Sequence, residues 1–266
     1  MGGLGPADLT LCRFGIAGVI MAPVLVRRRF IGIGWRRAVV LSLFGGPAFA
    51  FLQTEGFRYA PLSHGAVIAP AAVTVISILL AAITLSERLG RMRLAGVALV
   101  IAGLGLICAE GVSSSSGADL WRGDLLFIAA GAVWAVYTVL LKLWSVDPLH
   151  STAIVNVLGF ALTLSGYLTW VGLDHLALLD GGALALQAVM QGVVAGVLLL
   201  LAYSRTVALL GPSRAALFPS MVPVISTLLA IPVLDELPTA VQLVGLAVST
   251  LGLVLAVGVV PRRLAR

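Results

Sequence analysis

The sequence predicts an all-α integral membrane protein with nine transmembrane helices. Three observations lead to this fold class: an apolar composition, a series of hydrophobic runs long enough to cross a bilayer, and an internal repeat. Of the 266 residues, 60% are hydrophobic and 11% are charged, and the mean hydropathy is +1.11. A soluble domain carries about 25% charged residues, so this excess of apolar side chains belongs in lipid rather than in one buried core.

The predicted crossings follow from helix geometry. A helix needs about 20 mostly apolar residues, at 1.5 Å each, to cross the hydrocarbon core. The runs that meet this requirement are residues 9–26, 38–58, 63–85, 94–110, 123–143, 151–172, 185–205, 215–234 and 239–260. The first run is not expected to be a signal peptide, because its basic cluster Arg27-Arg28-Arg29 follows the apolar residues instead of preceding them.

The internal repeat defines the predicted domains. The segment Ala66–Glu87 recurs as Ala215–Glu236 at a constant offset of 149 residues, with 11 of the 22 aligned positions identical. Further pairs match at the same offset beyond this segment: Leu94/Leu243, Gly96/Gly245, Ala98/Ala247 and Gly103/Gly252. We therefore expect a duplicated membrane protein whose copies are residues 1–110 and 123–261, joined by a polar, serine-rich linker at 111–122.

Basic residues predict the orientation of the chain. When Arg27–Arg37 is placed in the cytoplasm and the sides alternate from there, 14 of the 17 Lys and Arg residues are cytoplasmic, as the positive-inside rule expects. The three on the outer side are Arg13, Arg58 and Arg122. The C-terminus is then cytoplasmic, and the equivalent residues Glu87 and Glu236 lie on opposite sides. The copies are thus inverted, which requires an odd number of helices in each. Because the second copy has five and the first has four, we expect a ten-helix ancestor whose first helix this chain lacks.

Composition and motifs also exclude several classes of protein. The net charge of +6 and the pI of about 10.1 are explained by anchoring at the cytoplasmic membrane, so no nucleic acid partner is expected. The sequence has no phosphate-binding glycine loop with its Lys-Ser/Thr and no HExxH or GxSxG motif. Cys12 and Cys108 lie in apolar runs and provide neither a disulfide framework nor a zinc site. We expect a protein that is not an enzyme, has no cofactor or metal, and contacts lipid and a small molecule.

Three short stretches carry a family resemblance. Gly123-Asp124-Leu125-Leu126, followed by Trp134-Ala-Val-Tyr137-Thr138, is similar to the start of the second repeat in EamA-type transporters of the drug/metabolite transporter superfamily. Ser86-Glu87-Arg88-Leu89 and the glycines after it resemble that family's hairpin, and Arg13-Phe14 resembles the opening of its second helix. The resemblance covers about residues 6–260.

This resemblance implies ten helices in two inverted five-helix EamA repeats around a central cavity. It also implies secondary transport, often export, of amino acids, other metabolites or toxic organic compounds. Inverted repeats suit this activity because two similar bundles can alternate between inward-open and outward-open states. The family's first helix helps to line the pathway, so the alternative is a truncated, non-transporting membrane protein that acts as an assembly partner or sensor.

Polar side chains at membrane depth are costly and are therefore functional candidates. Gln53 and Glu55 lie in one apolar run, where Glu55 either couples transport to a proton or cation or pairs with Arg58 one turn on. Trp134 and Tyr137 share a helix face and either form an aromatic wall for a flat or cationic substrate or pack between helices. The resemblance favours the wall of the cavity.

Gln191 and Tyr203 complete the predicted substrate-binding set. Gln187 shares a helix face with Gln191 but is expected nearer the outer interface. Asn156 is an isolated amide, which is more typical of hydrogen bonding between helices. His64 begins a helix and is expected to be interfacial.

Glycines also predict close helix contacts. In the helices at 94–110 and 239–260 the repeated glycines are seven residues apart, which places them on one face and permits close approach of another helix. This contact could form within the bundle or build a homodimer, and the sequence leaves both open.

Overall fold

The computed structural model describes residues 5–60, 62–86, 90–112, 119–170, 172, 181–222, 224–225 and 239–257. Within these ranges the regular structure is helical and no strand occurs. The described helices include six segments long and apolar enough to cross a membrane: Ala7–Arg28, Trp35–Gly56, His64–Thr84, Leu120–Leu143, Pro148–Thr169 and Leu184–Leu210. Helices satisfy their backbone hydrogen bonds internally, as spanning segments in lipid must, so this part of the chain has the architecture of an all-α multi-pass membrane protein.

The helices are numbered in chain order. They are α1 (Pro6–Arg28), α2 (Trp35–Gly45), α3 (Pro47–Gly56), α4 (Leu62–Thr84), α5 (Arg91–Val112), α6 (Leu120–Leu143), α7 (Pro148–Trp170), α8 (Gly181–Gln187), α9 (Leu200–Leu210), α10 (Pro212–Ala215) and α11 (Ala240–Val257). A π-helical segment, Ala188–Leu199, joins α8 to α9, and a 3₁₀ turn, Pro219–Met221, follows α10. The predicted crossing at 215–234 lies mostly outside the described residues, so the count of nine crossings stays a prediction.

Two predicted crossings are less regular than their apolar sequences indicate. The crossing at 38–58 is broken between α2 and α3 at Gly46, because Pro47 has no N–H with which to continue the helical hydrogen bonds. The crossing at 185–205 contains the twelve-residue π segment, a rare form that widens the helix. Gly192 lies in this segment against α1, where an added Cβ would be 2.5 Å from the Cβ of Ile16.

The chain forms two compact units, and each unit contains sequence from both halves. Unit 1 comprises Met1–Glu55 and Val136–Gly211, and unit 2 comprises Gly56–Ala135 and Pro212–Arg266. The units therefore do not coincide with the predicted repeats. Helices α1 and α7, which occupy equivalent positions in the two copies, are both in unit 1, and the equivalent helices α5 and α11 are both in unit 2.

Unit 1 is built around an antiparallel pair, α1 and α7. At one end of the pair, Arg28 Nη1 donates to Asp147 Oδ1 over 2.5 Å. At the other end, the buried Tyr167 hydroxyl donates to Asp8 Oδ1 over 2.7 Å. Because the last turn of α1 meets the first turn of α7, and the first turn of α1 meets the end of α7, the two helices run in opposite directions. Gly18 lets them approach closely, since an added Cβ would lie 2.9 Å from Phe160.

Unit 2 contains a second antiparallel pair, α5 and α11. An added Cβ on Gly96 would lie 2.6 Å from the carbonyl oxygen of Gly252, and one on Gly103 would lie 2.5 Å from that of Gly245. Residue numbers rise along α5 as they fall along α11, so the helices are antiparallel. The glycine faces are therefore occupied within the chain. The homodimer predicted through 94–110 and 239–260 receives no support from the described contacts and stays a prediction.

The core of unit 2 lies where α4 meets this pair. Ile78, Val97, Leu217 and Ala256 form a buried apolar cluster. One turn before Ile78, the Thr74 hydroxyl lies 2.9 Å from the Ala216 carbonyl oxygen and 2.6 Å from the Ser220 hydroxyl. Polar contacts between helices thus accompany apolar packing, as is usual for helices in a bilayer.

Candidate functional site

A buried amide connects α7 to the π segment in unit 1. Asn156 is 0% exposed, and its Nδ2 donates to the carbonyl oxygens of Thr152 over 2.9 Å and of Gly196 over 2.8 Å. The second bond bears out the prediction that Asn156 joins two helices. Its Oδ1 is buried and has no hydrogen-bond partner among the described residues. The amide therefore fixes the π segment and retains one acceptor.

Two pairs of hydroxyl groups connect α6 to α9. The Tyr137 hydroxyl lies 3.2 Å from the Ser204 hydroxyl, and the Thr138 hydroxyl lies 2.8 Å from the Tyr203 hydroxyl. Consecutive residues on α6 thus contact consecutive residues on α9. Hydroxyl groups both donate and accept, so each pair satisfies polar groups that would otherwise be costly in the apolar interior. Two of the predicted site residues, Tyr137 and Tyr203, are brought to the same helix contact.

The predicted aromatic pair on α6 is divided between the two units. Tyr137 belongs to unit 1, where it is fully buried and an added Cβ on Gly45 would lie 2.5 Å from its ring. Trp134 belongs to unit 2 and is also buried, with 9% of its surface exposed. The contacts of Tyr137 are those of a residue that packs α6 against α2 and α9.

Gln53 and Glu55 lie in the C-terminal turn of α3, and Glu55 is the last residue of the first segment of unit 1. Both side chains are half-buried, and the Oε1 atom of Gln53 is buried without a hydrogen-bond partner among the described residues. Glu55 belongs to unit 1 and Arg58 to unit 2. The two interpretations of Glu55, a coupling carboxylate or the partner of Arg58, stay predictions.

Gln191 lies in the π segment, one residue before Gly192. Its side chain is half-buried, as is that of Gln187 at the end of α8. Gly196 follows one turn later, packs against Ala17 of α1 with an added Cβ at 2.7 Å, and accepts the Asn156 hydrogen bond. The π segment therefore carries Gln191 beside a close helix contact and a buried amide.

The sequence interpretation missed a buried carboxylate at the start of α1. Asp8 is 1% exposed and accepts hydrogen bonds from the Gly5 backbone N–H and from Tyr167, both over 2.7 Å. Its position three residues after the N-cap could have indicated it, because a carboxylate there satisfies free N–H groups at the helix N-terminus. These contacts give Asp8 a structural role.

In unit 1 two buried amide oxygens, Gln53 Oε1 and Asn156 Oδ1, have no hydrogen-bond partner among the described residues. Such groups can accept hydrogen bonds from the N–H or O–H groups of a polar solute. Among the described residues, no group of three or more His, Cys, Asp or Glu side chains could hold a metal ion.

A family model and the similar proteins both identify the chain with transporters. The model of the EamA-like transporter family matches residues 1–109 and 121–258. The uncharacterized transporter YyaM of Bacillus subtilis is 25% identical over 271 residues, which cover 98% of this chain and 87% of that protein. An uncharacterized transporter of Archaeoglobus fulgidus is 30% identical over 141 residues, covering 52% of this chain and 48% of the relative.

The crystal structure of another protein has the same fold. It superposes with a TM-score of 0.76 at 20% identity and covers 98% of this chain and 91% of its own. The family match spans nearly the whole chain, and the described helices have the length and composition of membrane crossings. The chain belongs to the EamA-like transporter family, within the drug/metabolite transporter superfamily, and is a multi-pass membrane transporter.

Proposed function

We propose that this chain is a secondary transporter that exports a small organic metabolite, amino acid or drug across the cytoplasmic membrane. It works without ATP, by alternating access between two inverted repeats, residues 1–110 and 123–261, joined by the linker at 111–122. The chain crosses the membrane nine times, and its C-terminus is cytoplasmic. This assignment makes the chain a carrier and not an enzyme.

The observation that carries the proposal is the antiparallel packing of equivalent helices. Helices α1 and α7 begin with Pro6 and Pro148, which align between the copies, and they run in opposite directions within unit 1. Helices α5 and α11, related by the offset of 149 residues, are also antiparallel within unit 2. Opposite directions for equivalent helices are expected of inverted repeats, which allow a transporter to alternate its access.

The family match gives independent support. Its two matched segments, 1–109 and 121–258, have almost the same bounds as the two copies that the sequence repeat predicts. The proposed carrier mechanism also agrees with Gln53 Oε1 and Asn156 Oδ1, which have no hydrogen-bond partner among the described residues. Polar groups at membrane depth are costly, so they are functional candidates.

We assign Gln53 and Gln191 to direct hydrogen bonding with the substrate. Glu55 supplies the charge that couples transport to a proton or cation. Trp134 belongs to unit 2, and its predicted role as an aromatic wall stays a prediction. Tyr137 and Tyr203 hold α6 against α9, so they set the position of the substrate-binding helices. The amide of Asn156 has the same positioning role for the π segment.

The first experiment identifies a ligand and then measures its transport. Purified protein in detergent is heated with a panel of amino acids, nucleosides, organic anions and organic cations. A ligand that binds only the folded state adds about 2.7 kcal/mol to the free energy of unfolding at 100 times its dissociation constant. Each ligand that stabilises the protein is then tested for uptake into proteoliposomes, with and without a proton or sodium gradient. Gradient-driven uptake is the expected result.

Variants test the assigned residues. Gln191→Ala should abolish both the thermal shift and uptake, and Gln53→Ala should weaken both, while Gln187→Ala is the matched control and should behave as the parent chain. Equal effects of Gln187→Ala and Gln191→Ala would contradict the assigned site. A folded protein that binds a ligand but never moves it, even with a gradient, would refute the transport mechanism and favour the non-transporting sensor.

A further inference from the structure

In unit 2 a buried histidine pairs with a partly exposed carboxylate, and neither residue is among those assigned above to substrate binding. His64 is 2% exposed, and its Nδ1 lies 2.8 Å from Oδ1 of Asp124. The expectation that His64 lies near the membrane interface stays a prediction, but its side chain is buried in the protein and paired with a carboxylate. The sequence could not show this, because its partner is 60 residues away. His64 is the third residue of α4 and Asp124 the fifth residue of α6, so both lie near the N-terminal ends of their helices and hence near one end of the membrane-spanning region.

An apolar groove extends from this pair along α4. Ile68, Ala72 and Ile76 line it on α4, Ile101 lines it on α5 and Ile128 on α6, and it contains about 490 Å³ of space. From His64 to Ile76 the helix rises by roughly 18 Å at 1.5 Å per residue. The groove is open on one side, because Ile101 and Ile128 are 39% and 44% exposed. It is large enough for a small molecule, for which pockets are typically about 300–1,000 Å³.

The polar end of the groove is formed by the carboxylate of Asp124 and the imidazole of His64. A carboxylate only accepts hydrogen bonds, so Nδ1 of His64 is the donor. Nε2 of His64 is buried without a hydrogen-bond partner among the described residues. Asp124 has 33% of its side chain exposed and, within the described part of the chain, makes its one hydrogen bond or ion pair with His64. Arg122, the nearest cation in sequence, pairs with Asp119 at 3.3 Å.

We propose that this groove binds a single-chain alkylammonium amphiphile. The ammonium group donates a hydrogen bond to Asp124, and the alkyl chain lies along α4 between Ile101 and Ile128. This orientation matches the membrane, because the charged group stays near the end of the helices while the chain extends towards the apolar interior. His64 is a positioning residue that holds the carboxylate. The site is in unit 2 alone, so it does not depend on the transport mechanism or on the substrate site in unit 1.

Equilibrium binding to the full chain in phosphatidylcholine nanodiscs tests the site. The probe is radiolabelled dodecylamine, compared with labelled dodecanol and dodecanoate. We expect saturable binding of the amine, weaker binding of the alcohol and the weakest binding of the carboxylate. Asp124→Asn keeps an acceptor for His64 and removes the charge, so it should weaken amine binding by about tenfold or more and leave dodecanol binding unchanged. The unchanged alcohol binding also verifies that the groove is intact.

Asp119→Asn is the matched control, since Asp119 is an exposed carboxylate five residues away that pairs with Arg122. It should bind the amine as the parent chain does. Ala71→Phe should fill the groove and weaken binding of amine and alcohol together. Equal amine binding by the parent chain and Asp124→Asn would overturn the proposal, as would equal affinities for amine, alcohol and carboxylate. Displacement of dodecylamine by phosphatidylethanolamine but not by other single-chain amines would assign the groove to a lipid and also overturn it.

Discussion

The contact between α5 and α11 predicts opposite effects for two glycine-to-alanine substitutions on one helix. In Gly103→Ala the new Cβ would lie 2.5 Å from the Gly245 carbonyl oxygen and 2.6 Å from the Ser249 backbone nitrogen. Both are backbone atoms of α11, so they cannot move aside as the end of a flexible side chain can. In Gly105→Ala, two residues along α5, the new Cβ would meet no atom of the described residues within 4 Å.

These geometries give the size of each effect. Overpacking of a close contact costs about 1–3 kcal/mol, and alanine is favoured over glycine inside a helix by about 0.5–1 kcal/mol. Gly103→Ala should therefore lower the free energy of unfolding by about 1–2 kcal/mol. Gly105→Ala should raise it by up to about 1 kcal/mol, because it gains the helical preference without the clash. At about 2–4 °C per kcal/mol, Tm falls by roughly 2–8 °C in the first variant and rises by roughly 1–4 °C in the second.

Thermal unfolding in a single detergent measures both shifts, and light scattering on the same samples measures the molar mass. A loss of stability at constant mass is the expected result for Gly103→Ala. The reasoning is refuted if the two variants shift Tm in the same direction and by the same amount. A fall from dimer to monomer mass in Gly103→Ala without a change in Tm would place the glycine contact between two chains instead.

Three further sets of substitutions test contacts within unit 1 by thermal unfolding. Asn156→Ala removes the hydrogen bonds from the amide to the carbonyl oxygens of Thr152 and Gly196, so it should lower the free energy of unfolding by about 1–3 kcal/mol. An unchanged Tm would mean that the amide does not stabilise the contact between α7 and the π segment. The double variant Tyr137→Phe/Ser204→Ala should lose less free energy of unfolding than the sum of the two single losses, by about 0.6 kcal/mol, the average for such hydrogen-bonded pairs in membranes. Equal values for the double loss and the sum would mean that the two hydroxyl groups do not interact. Gly45→Ala places a Cβ 2.5 Å from the Tyr137 ring and should lower Tm, and combining it with Tyr137→Leu should restore part of the loss.

Hydrophobic patterning predicted the main elements of the fold because lipid imposes a simple rule on length and polarity. The predicted run at 123–143 became α6 (Leu120–Leu143), and that at 9–26 became part of α1 (Pro6–Arg28). The break at Gly46 could have been anticipated from Pro47. The π segment could not, since its residues have the composition of an ordinary apolar helix and its form depends on contacts such as that between Gly192 and Ile16.

The polar contacts were harder to predict because they join residues distant in sequence. Tyr137 was predicted as part of an aromatic pair with Trp134, and Tyr203 as part of the substrate-binding set. Only the structure shows that the two tyrosines hold α6 and α9 together through Ser204 and Thr138. His64 and Asp124 were each assigned an interfacial or motif role. Their pairing depends on which faces of α4 and α6 meet, and no short sequence pattern predicts this.

Side-specific cysteine labelling tests the central claim, that two inverted repeats form this transporter, most directly. Glu87→Cys and Glu236→Cys are made separately in a chain whose native cysteines, Cys12 and Cys108, are replaced by alanine. A membrane-impermeant maleimide is then applied to intact cells and to inverted membrane vesicles. We predict that Glu236→Cys is labelled only in intact cells and Glu87→Cys only in inverted vesicles. Labelling of both positions from the same side would show that the repeats are parallel and would contradict the account.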